Sequence, residues 1–150
     1  MANGGIGKVL MRIQRFLVLA MVCGGLLAVA DALQIQHGLA ATFINARWAK
    51  PLDEGCLAEQ AAGKRLVVTA EESAAMGGIG DGVLDALNRS GVHVPLLKIA
   101  LREGFVHHGA VEDLRRQQRI DVEGILGQIR EALRLPLEPT VAPARRIGAA

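Results

Sequence analysis

The sequence predicts an α/β sandwich built on a mostly parallel β-sheet. Short apolar runs alternate with helical patterns along the chain, as expected for strands joined by crossover helices. One run, Leu66–Ala70, is apolar and rich in β-branched residues, which is typical of a strand buried on both faces. The 150 residues are 51% apolar and 21% charged, a balance that gives a single domain enough material for a core.

The first half of the chain predicts three strands and one helix. A leading strand near Lys8 to Ile13 stands only a short step before the next strand at Phe16–Leu19, so it most easily joins the sheet antiparallel. Leucines at helical spacing follow from Leu26 and stop at His37-Gly38, where glycine suits the end of a helix. The run Ala41–Ala46 then reads as a strand.

The second half continues the alternation of strands and helices. Asp53 is expected to cap a helix through about Ala62, and Asp121 is expected to cap the last helix. The predicted elements are a strand at Leu66–Ala70, a helix from Asp81 to Asn88, a strand at Val94–Ala100, and helices at Val111–Arg116 and Val122–Leu135. Residues 1–135 therefore form the predicted domain, and the proline-containing residues 136–150 form a loose C-terminal tail.

The uncharged run Phe16–Ala30 has a second interpretation. Its 15 residues are too few for a membrane span, which needs about 20. The run follows Arg12 and Arg15 and ends on the small residues Ala28-Val29-Ala30, which also fits a signal peptide cleaved near Ala30. A secreted protein thus remains a lesser alternative to a buried strand and helix.

Charge and composition exclude several classes of function. The formal net charge is only +2 and Trp48 is the single tryptophan, so a nucleic-acid partner is not expected. Cys23 and Cys56 form no CxxC pair, which excludes zinc ribbons and dithiol redox motifs. Two lone thiols are typical of a reducing compartment, and the sequence predicts a cytoplasmic protein without a membrane partner.

The glycine-rich loop Met76–Gly80 is the best local candidate for a binding site. Gly77, Gly78 and Gly80 precede a predicted helix, whose N–H groups favour an anion. The alternative is structural: glycines let the loop turn tightly and let the helix pack close to the sheet. Since the loop matches neither G-x-G-x-x-G nor a Walker motif, the structural interpretation is favoured.

Glu71 and Glu72 follow the predicted strand directly, at the end where α/β folds place ligands. Paired carboxylates suit acid–base chemistry or a cation, but no histidine or further acid stands near them. One buried, hydrogen-bonded acid beside one solvated acid is the favoured interpretation.

The four histidines predict no catalytic or metal site. His107 and His108 are adjacent, so they point in different directions and rarely share a metal. His37 and His93 flank turns and are expected to be solvated. The residues by themselves predict an α/β domain with an anion or subunit contact, with no catalytic residue and no metal ligand.

Three stretches in order resemble the 1-deoxy-D-xylulose-5-phosphate synthase family. Gly38–Asp53 is similar to that family's GLxxTVxxARFAKPLD stretch. Val67–Val83 resembles its VTxEENxxxGGxGSGV signature, and Arg119–Ile125 resembles its LGLDxxGI ending. The resemblance covers about Gly7 to Leu135.

This resemblance implies a transketolase C-terminal domain, which is a three-layer α/β/α sandwich over a five-stranded sheet with an antiparallel first strand. The full family enzyme is a homodimeric transferase that condenses pyruvate with glyceraldehyde 3-phosphate for isoprenoid, thiamine and pyridoxal synthesis. Its thiamine diphosphate and Mg²⁺ are held by two preceding domains, so none of the family's catalytic residues has a counterpart in this sequence.

The resemblance therefore implies a detached terminal domain that binds no cofactor alone. Its implied partners are the catalytic domains of the same chain or a separate catalytic chain. The implied contact side comprises Glu71, Glu72 and the loop Met76–Gly80. A stand-alone anion-binding or regulatory module remains the alternative.

Overall fold

A computed structural model describes residues 16–20, 25–46 and 48–135. Four strands and five helices are defined within these residues. The strands are β1 (Phe16–Ala20), β2 (Ala41–Asn45), β3 (Leu66–Ala74) and β4 (Leu96–Leu101). The helices are α1 (Leu26–His37), α2 (Glu54–Ala61), α3 (Ile79–Arg89), α4 (Val111–Gln118) and α5 (Val122–Leu133).

The described strands form one parallel sheet in the order β2-β1-β3-β4. Phe16 is paired with Ala41 on one side and with Leu66 on the other, so β1 lies between β2 and β3. β3 pairs with β4 through partners such as Val67 and Leu96. Because all four strands are parallel, their carboxyl ends lie along one edge of the sheet.

β3 divides the interior into two apolar clusters. Leu66, Val68 and Ala70 pack with α1 and α5, whereas Val67 packs with α2 and α3. This alternation follows from the two-residue period of a strand. Helices therefore cover both faces of the sheet, and the expected three-layer α/β/α architecture is confirmed.

Local signals at the helix ends behave as the sequence predicts. Gly38 ends α1 in the left-handed conformation, with φ of 62°. The Asp53 side chain accepts a hydrogen bond from the Cys56 N–H at the start of α2. Asp121 accepts one from the Gly124 N–H at the start of α5.

Several element bounds differ from the prediction, and two of the differences matter for the site. β3 runs on to Ala74 rather than stopping at Ala70, because its pairing with β4 resumes after an irregularity and joins Ala74 to Leu101. Glu71 and Glu72 therefore lie within the strand rather than after it. The next helix begins at Ile79, two residues before the predicted Asp81.

The prediction for His37 is wrong. Its ring is half-buried between α1 and α5, and its Nε2 accepts a hydrogen bond from Arg130 Nε at 3.3 Å. The same guanidinium contacts the Gln36 side chain. Burial, followed by the positive charge of Arg130, lowers the pKa of His37 below its ordinary 6.5. His93, by contrast, is exposed as expected.

Some predictions lie outside the described residues. These are the antiparallel strand near Lys8 to Ile13, hence the strand count of five, and the loose tail 136–150. Cys56 is a half-buried free thiol. No helix within the described ranges has the length and hydropathy needed to span a membrane.

Candidate functional site

A buried carboxylate organises the carboxyl end of β3. Glu71 is only 5% exposed and lies on the face of β3 that α3 covers. Its Oε2 accepts the Ile79 N–H at 2.8 Å, and its Oε1 accepts the Gly80 N–H at 3.0 Å. The Ser73 hydroxyl donates a further hydrogen bond to Oε2. The carboxylate thus satisfies N–H groups that the first turn of a helix leaves unpaired, where the helix dipole also favours negative charge.

Gly78 and Gly80 permit this contact by bringing backbone close to neighbouring atoms. A Cβ at Gly78 would lie 2.6 Å from the Ala74 carbonyl oxygen and would collide with the Glu71 carboxylate. A Cβ at Gly80 would lie 2.7 Å from Lys98 Cδ and 2.9 Å from Thr69 Oγ1. The predicted structural role of these glycines, close packing of the helix on the sheet, is therefore confirmed.

A second set of bonds fixes the tip of the loop. Lys98 Nζ on β4 donates to Asp81 Oδ1 at 2.7 Å and to the Ala75 carbonyl oxygen at 3.0 Å. The Gly77 N–H donates to Asp81 Oδ2 at 2.7 Å. The hydrogen bond from Lys98, and then that from Gly77, lowers the pKa of the Asp81 carboxyl.

Sequence reasoning missed Lys98 and Asp81. One signal was present: Lys98 is a charged residue inside the otherwise apolar strand Leu96–Leu101. Lysine is rarely placed among strand residues of this kind unless its ammonium group has a partner.

Glu72 and Met76 point outward beside the buried carboxylate. Glu72 Oε1 forms an exposed ion pair with Arg115 Nη2 of α4 at 2.8 Å. Met76 is 71% exposed at the tip of the loop. The expected split between one buried and one solvated acid is confirmed, and the structure brings all six predicted site residues to one end of β3.

An open cleft of about 590 Å³ lies beside this loop. Lys50 and Leu52 line one side, and Gly77, Gly78 and Asp81 line the other. His107 and His108 are both exposed, and the His107 ring meets the Phe105 ring edge-on. Across the described ranges, no three His, Cys, Asp or Glu side chains are grouped to hold a metal ion.

The donors of the glycine-rich loop do not fit the diphosphate of thiamine diphosphate, because they are already bound within the chain. A diphosphate needs N–H donors or cations, but the Ile79 and Gly80 N–H groups already bind Glu71. The ammonium group of Lys98 is likewise bound to Asp81. The carboxylates of Glu71 and Asp81 already bind these donors, so the chemistry of this loop is that of an internal clamp.

Comparison with known proteins shows which family this chain is similar to. Residues 19–125 match the model of the transketolase C-terminal domain. A split-gene transketolase solved as an inactive β4 tetramer superposes with a TM-score of 0.70 at 25% identity, over 83% of this chain and 40% of that chain.

Curated relatives are 1-deoxy-D-xylulose-5-phosphate synthases. The relative from Ralstonia pickettii is 42% identical over 132 residues, which is 88% of this chain and 20% of that protein. The one from Acidovorax ebreus is 40% identical over 141 residues, which is 93% of this chain and 22% of that protein. The chain spans about a fifth of the length of these relatives. With its three layers and a family match that covers most of its length, the chain belongs to the transketolase C-terminal domain family.

Proposed function

We propose that this chain is the terminal packing domain of a 1-deoxy-D-xylulose-5-phosphate synthase, a thiamine diphosphate-dependent transferase of isoprenoid and thiamine precursor synthesis. In this role it supports domain and dimer contacts and does not catalyse the reaction alone. The observation that carries the proposal is the match to 1-deoxy-D-xylulose-5-phosphate synthases over most of this chain, which spans about a fifth of their length. The Glu71 clamp supports it, because the amides of Ile79 and Gly80 hold the chain's own loop.

The proposed contact side includes Glu72, Met76 and Gly77, all of which are exposed on the clamped loop. Its proposed partner is the catalytic portion that makes up the other four fifths of the relatives' length, in the same chain or in a separate one. Thiamine diphosphate and Mg²⁺ belong to that portion in this proposal. A homodimeric, cytoplasmic enzyme is the setting that the resemblance implies.

Purified chain tests the catalytic half of the proposal. The chain is incubated with pyruvate, glyceraldehyde 3-phosphate, thiamine diphosphate and Mg²⁺, and 1-deoxy-D-xylulose 5-phosphate is sought by mass spectrometry. We expect no product, while full-length synthase from Ralstonia pickettii serves as the positive control. Product formed by the chain alone would refute the assignment of a packing domain.

A chimera tests the packing half. The 132-residue segment of the Ralstonia pickettii synthase that matches this chain is replaced by the corresponding segment of this chain. We expect the chimera to purify as the parent enzyme does and to retain synthase activity. A chimera that is inactive, or that no longer assembles like the parent, would refute the packing role.

The anion-binding alternative makes a different prediction. A phosphate site at the start of α3 requires free N–H groups, yet those of Ile79 and Gly80 bind Glu71. We therefore expect millimolar phosphate and pyrophosphate to leave the melting temperature of the chain unchanged. A dose-dependent rise would favour the anion-binding module instead.

A further inference from the structure

Three large apolar side chains are exposed after three different strands. Trp48 follows β2, Met76 follows β3 and Phe105 follows β4, and they are 75%, 71% and 86% exposed. The loops after β2 and β3 line a common cleft. The Ala75 N–H bonds to the Leu101 carbonyl oxygen at 3.3 Å, which joins the ends of β3 and β4. Trp48, Met76 and Phe105 thus belong to one edge of the sheet, here named the carboxyl-edge surface.

The central part of this surface is held in place before any partner arrives. Glu71 fixes the start of α3, and Lys98 bonds to both Asp81 and Ala75 on either side of Met76. A loop that is already ordered loses little conformational entropy on binding. Aromatic and methionine side chains are also enriched at the centres of protein interfaces.

The charges of the loop predict the chemistry of the partner. Within residues 71–81 the charged side chains are Glu71, Glu72 and Asp81. They bind, in that order, two backbone amides, Arg115 and Lys98. Glu71 is buried, and Glu72 and Asp81 are paired with cations, so the loop offers a partner mainly apolar contact around Met76. An apolar protein surface fits this better than a charged polymer does.

We propose that the carboxyl-edge surface docks onto an apolar surface of the catalytic portion of a 1-deoxy-D-xylulose-5-phosphate synthase. This inference rests on the proposed function and adds Trp48 and Phe105 to the contact. The length of the relatives indicates which part of the enzyme covers this surface. About four fifths of each relative lies outside the region that matches this chain. Packing of that portion on the exposed edge would bury three side chains that are otherwise in water.

The chimeric synthase described above tests this surface. One variant carries Trp48→Ser, Met76→Ser and Phe105→Ser. A matched control carries Leu27→Ser and Ile35→Ser, which change apolar side chains that are 69% and 83% exposed on the outer side of α1. We expect the triple variant to lose about tenfold or more of the synthase activity, since central interface residues each contribute strongly to binding. We expect the control to stay within about twofold of the unsubstituted chimera.

The outcomes separate the two proposals. An inactive unsubstituted chimera would refute the proposed function and this inference with it. An active chimera whose triple variant is equally active would refute only the surface assignment, as would equal losses in the triple variant and the control. Circular dichroism of the isolated chain checks that both variants melt like the unsubstituted chain. If the triple variant does not fold, the single substitution Met76→Lys takes its place.

Self-association of the isolated chain through the carboxyl-edge surface is tested separately. Sedimentation of the isolated chain measures whether it dimerises and whether the triple variant abolishes the dimer. A dimer that depends on these three residues, together with an unaffected chimera, would assign the surface to a second copy and overturn the proposal.

Discussion

Glu71 is a single side chain on which the start of α3 depends. It is nearly inaccessible to solvent and binds two backbone amides and one hydroxyl. Removing one partner from a buried hydrogen bond leaves the other without water or protein to replace it. The energetic role of Glu71 is therefore distinct from that of Glu72, which is exposed and held by a surface ion pair.

Substitution of each glutamate by alanine measures this difference. We expect Glu71→Ala to lower the free energy of unfolding by about 3 kcal/mol, because it leaves the Ile79 and Gly80 amides unpaired. Glu72→Ala, the matched control, should cost less than about 1 kcal/mol. Urea denaturation followed by circular dichroism gives both values, and equal costs would contradict the clamp.

Thr69 differs from Glu71 in that its buried polar group is not hydrogen-bonded within the described part of the chain. Its hydroxyl is fully buried and has no hydrogen-bond partner among the described residues. Thr69→Val keeps the shape and removes the unsatisfied oxygen, so we expect a gain of about 1 kcal/mol in unfolding free energy. Thr42→Val is the control, because the Thr42 hydroxyl accepts a hydrogen bond from Lys64 at 3.2 Å. A loss at Thr69 as large as that at Thr42 would indicate a partner for the Thr69 hydroxyl.

Among the elements, α3 depends most on close approach to the sheet. Its glycines differ in their surroundings: a Cβ at Gly80 would lie within 3.0 Å of Lys98 and Thr69, whereas one at Gly82 would lie 3.2 Å from Leu52 Cδ1. The distance between helix and sheet is therefore set at Gly80.

Alanine at these two positions tests that statement. Gly80→Ala should lower the unfolding free energy by about 2 kcal/mol, because the added methyl group would collide with the side chains of Lys98 and Thr69. Gly82→Ala should leave it unchanged or raise it by up to about 1 kcal/mol through helix propensity. Thermal melts of the two variants give the comparison, and a tolerant Gly80 would show that α3 moves freely on the sheet.

The contact between α1 and α5 is expected to depend on pH. His37 has a lowered pKa because of burial and Arg130, so the unfolded chain binds a proton more readily than the folded chain does. The stability contribution is complete above the unfolded pKa of 6.5 and is lost as pH falls below it.

This dependence is measured by urea denaturation between pH 7.5 and pH 5. The unfolding free energy of the unsubstituted chain should fall over this range, and His37→Gln should remove part of the fall. Arg130→Gln should also flatten the profile, because it removes the charge that opposes protonation. Identical profiles in all three chains would exclude His37 as a cause.

At the scale of the whole molecule, the position of β1 decides which part of the chain is indispensable. β1 lies between β2 and β3, so its backbone bonds to both. A chain beginning at Asp31, as the secreted alternative requires, lacks this strand and the first part of α1. We expect that chain to show no cooperative thermal transition by circular dichroism, whereas a chain ending at Leu135 should melt normally. Cooperative melting of the chain that begins at Asp31 would support the secreted alternative.

The sequence predicted those features that nearby residues determine. Gly38, Asp53 and Asp121 act within one helical turn of their own positions, and each was placed correctly. The extension of β3 to Ala74 escaped prediction because it depends on pairing with Leu101. His37 was wrongly placed in solvent because its partner Arg130 lies 93 residues further along the chain. The clamp was predicted only in part: one acid was expected to be buried, but its amide partners follow from the fold.

The alternation along β3 has a consequence for strand alignment. Thr69 and Glu71 face α3, and Val68 and Ala70 face the cluster of α1 and α5. A slip of β3 by one residue would turn every side chain to the opposite face. It would push the Glu71 carboxylate into a cluster of leucine, isoleucine and valine side chains, away from the amides that bind it. The same carboxylate that anchors α3 thus marks the correct pairing of the sheet and makes the misaligned sheet costly.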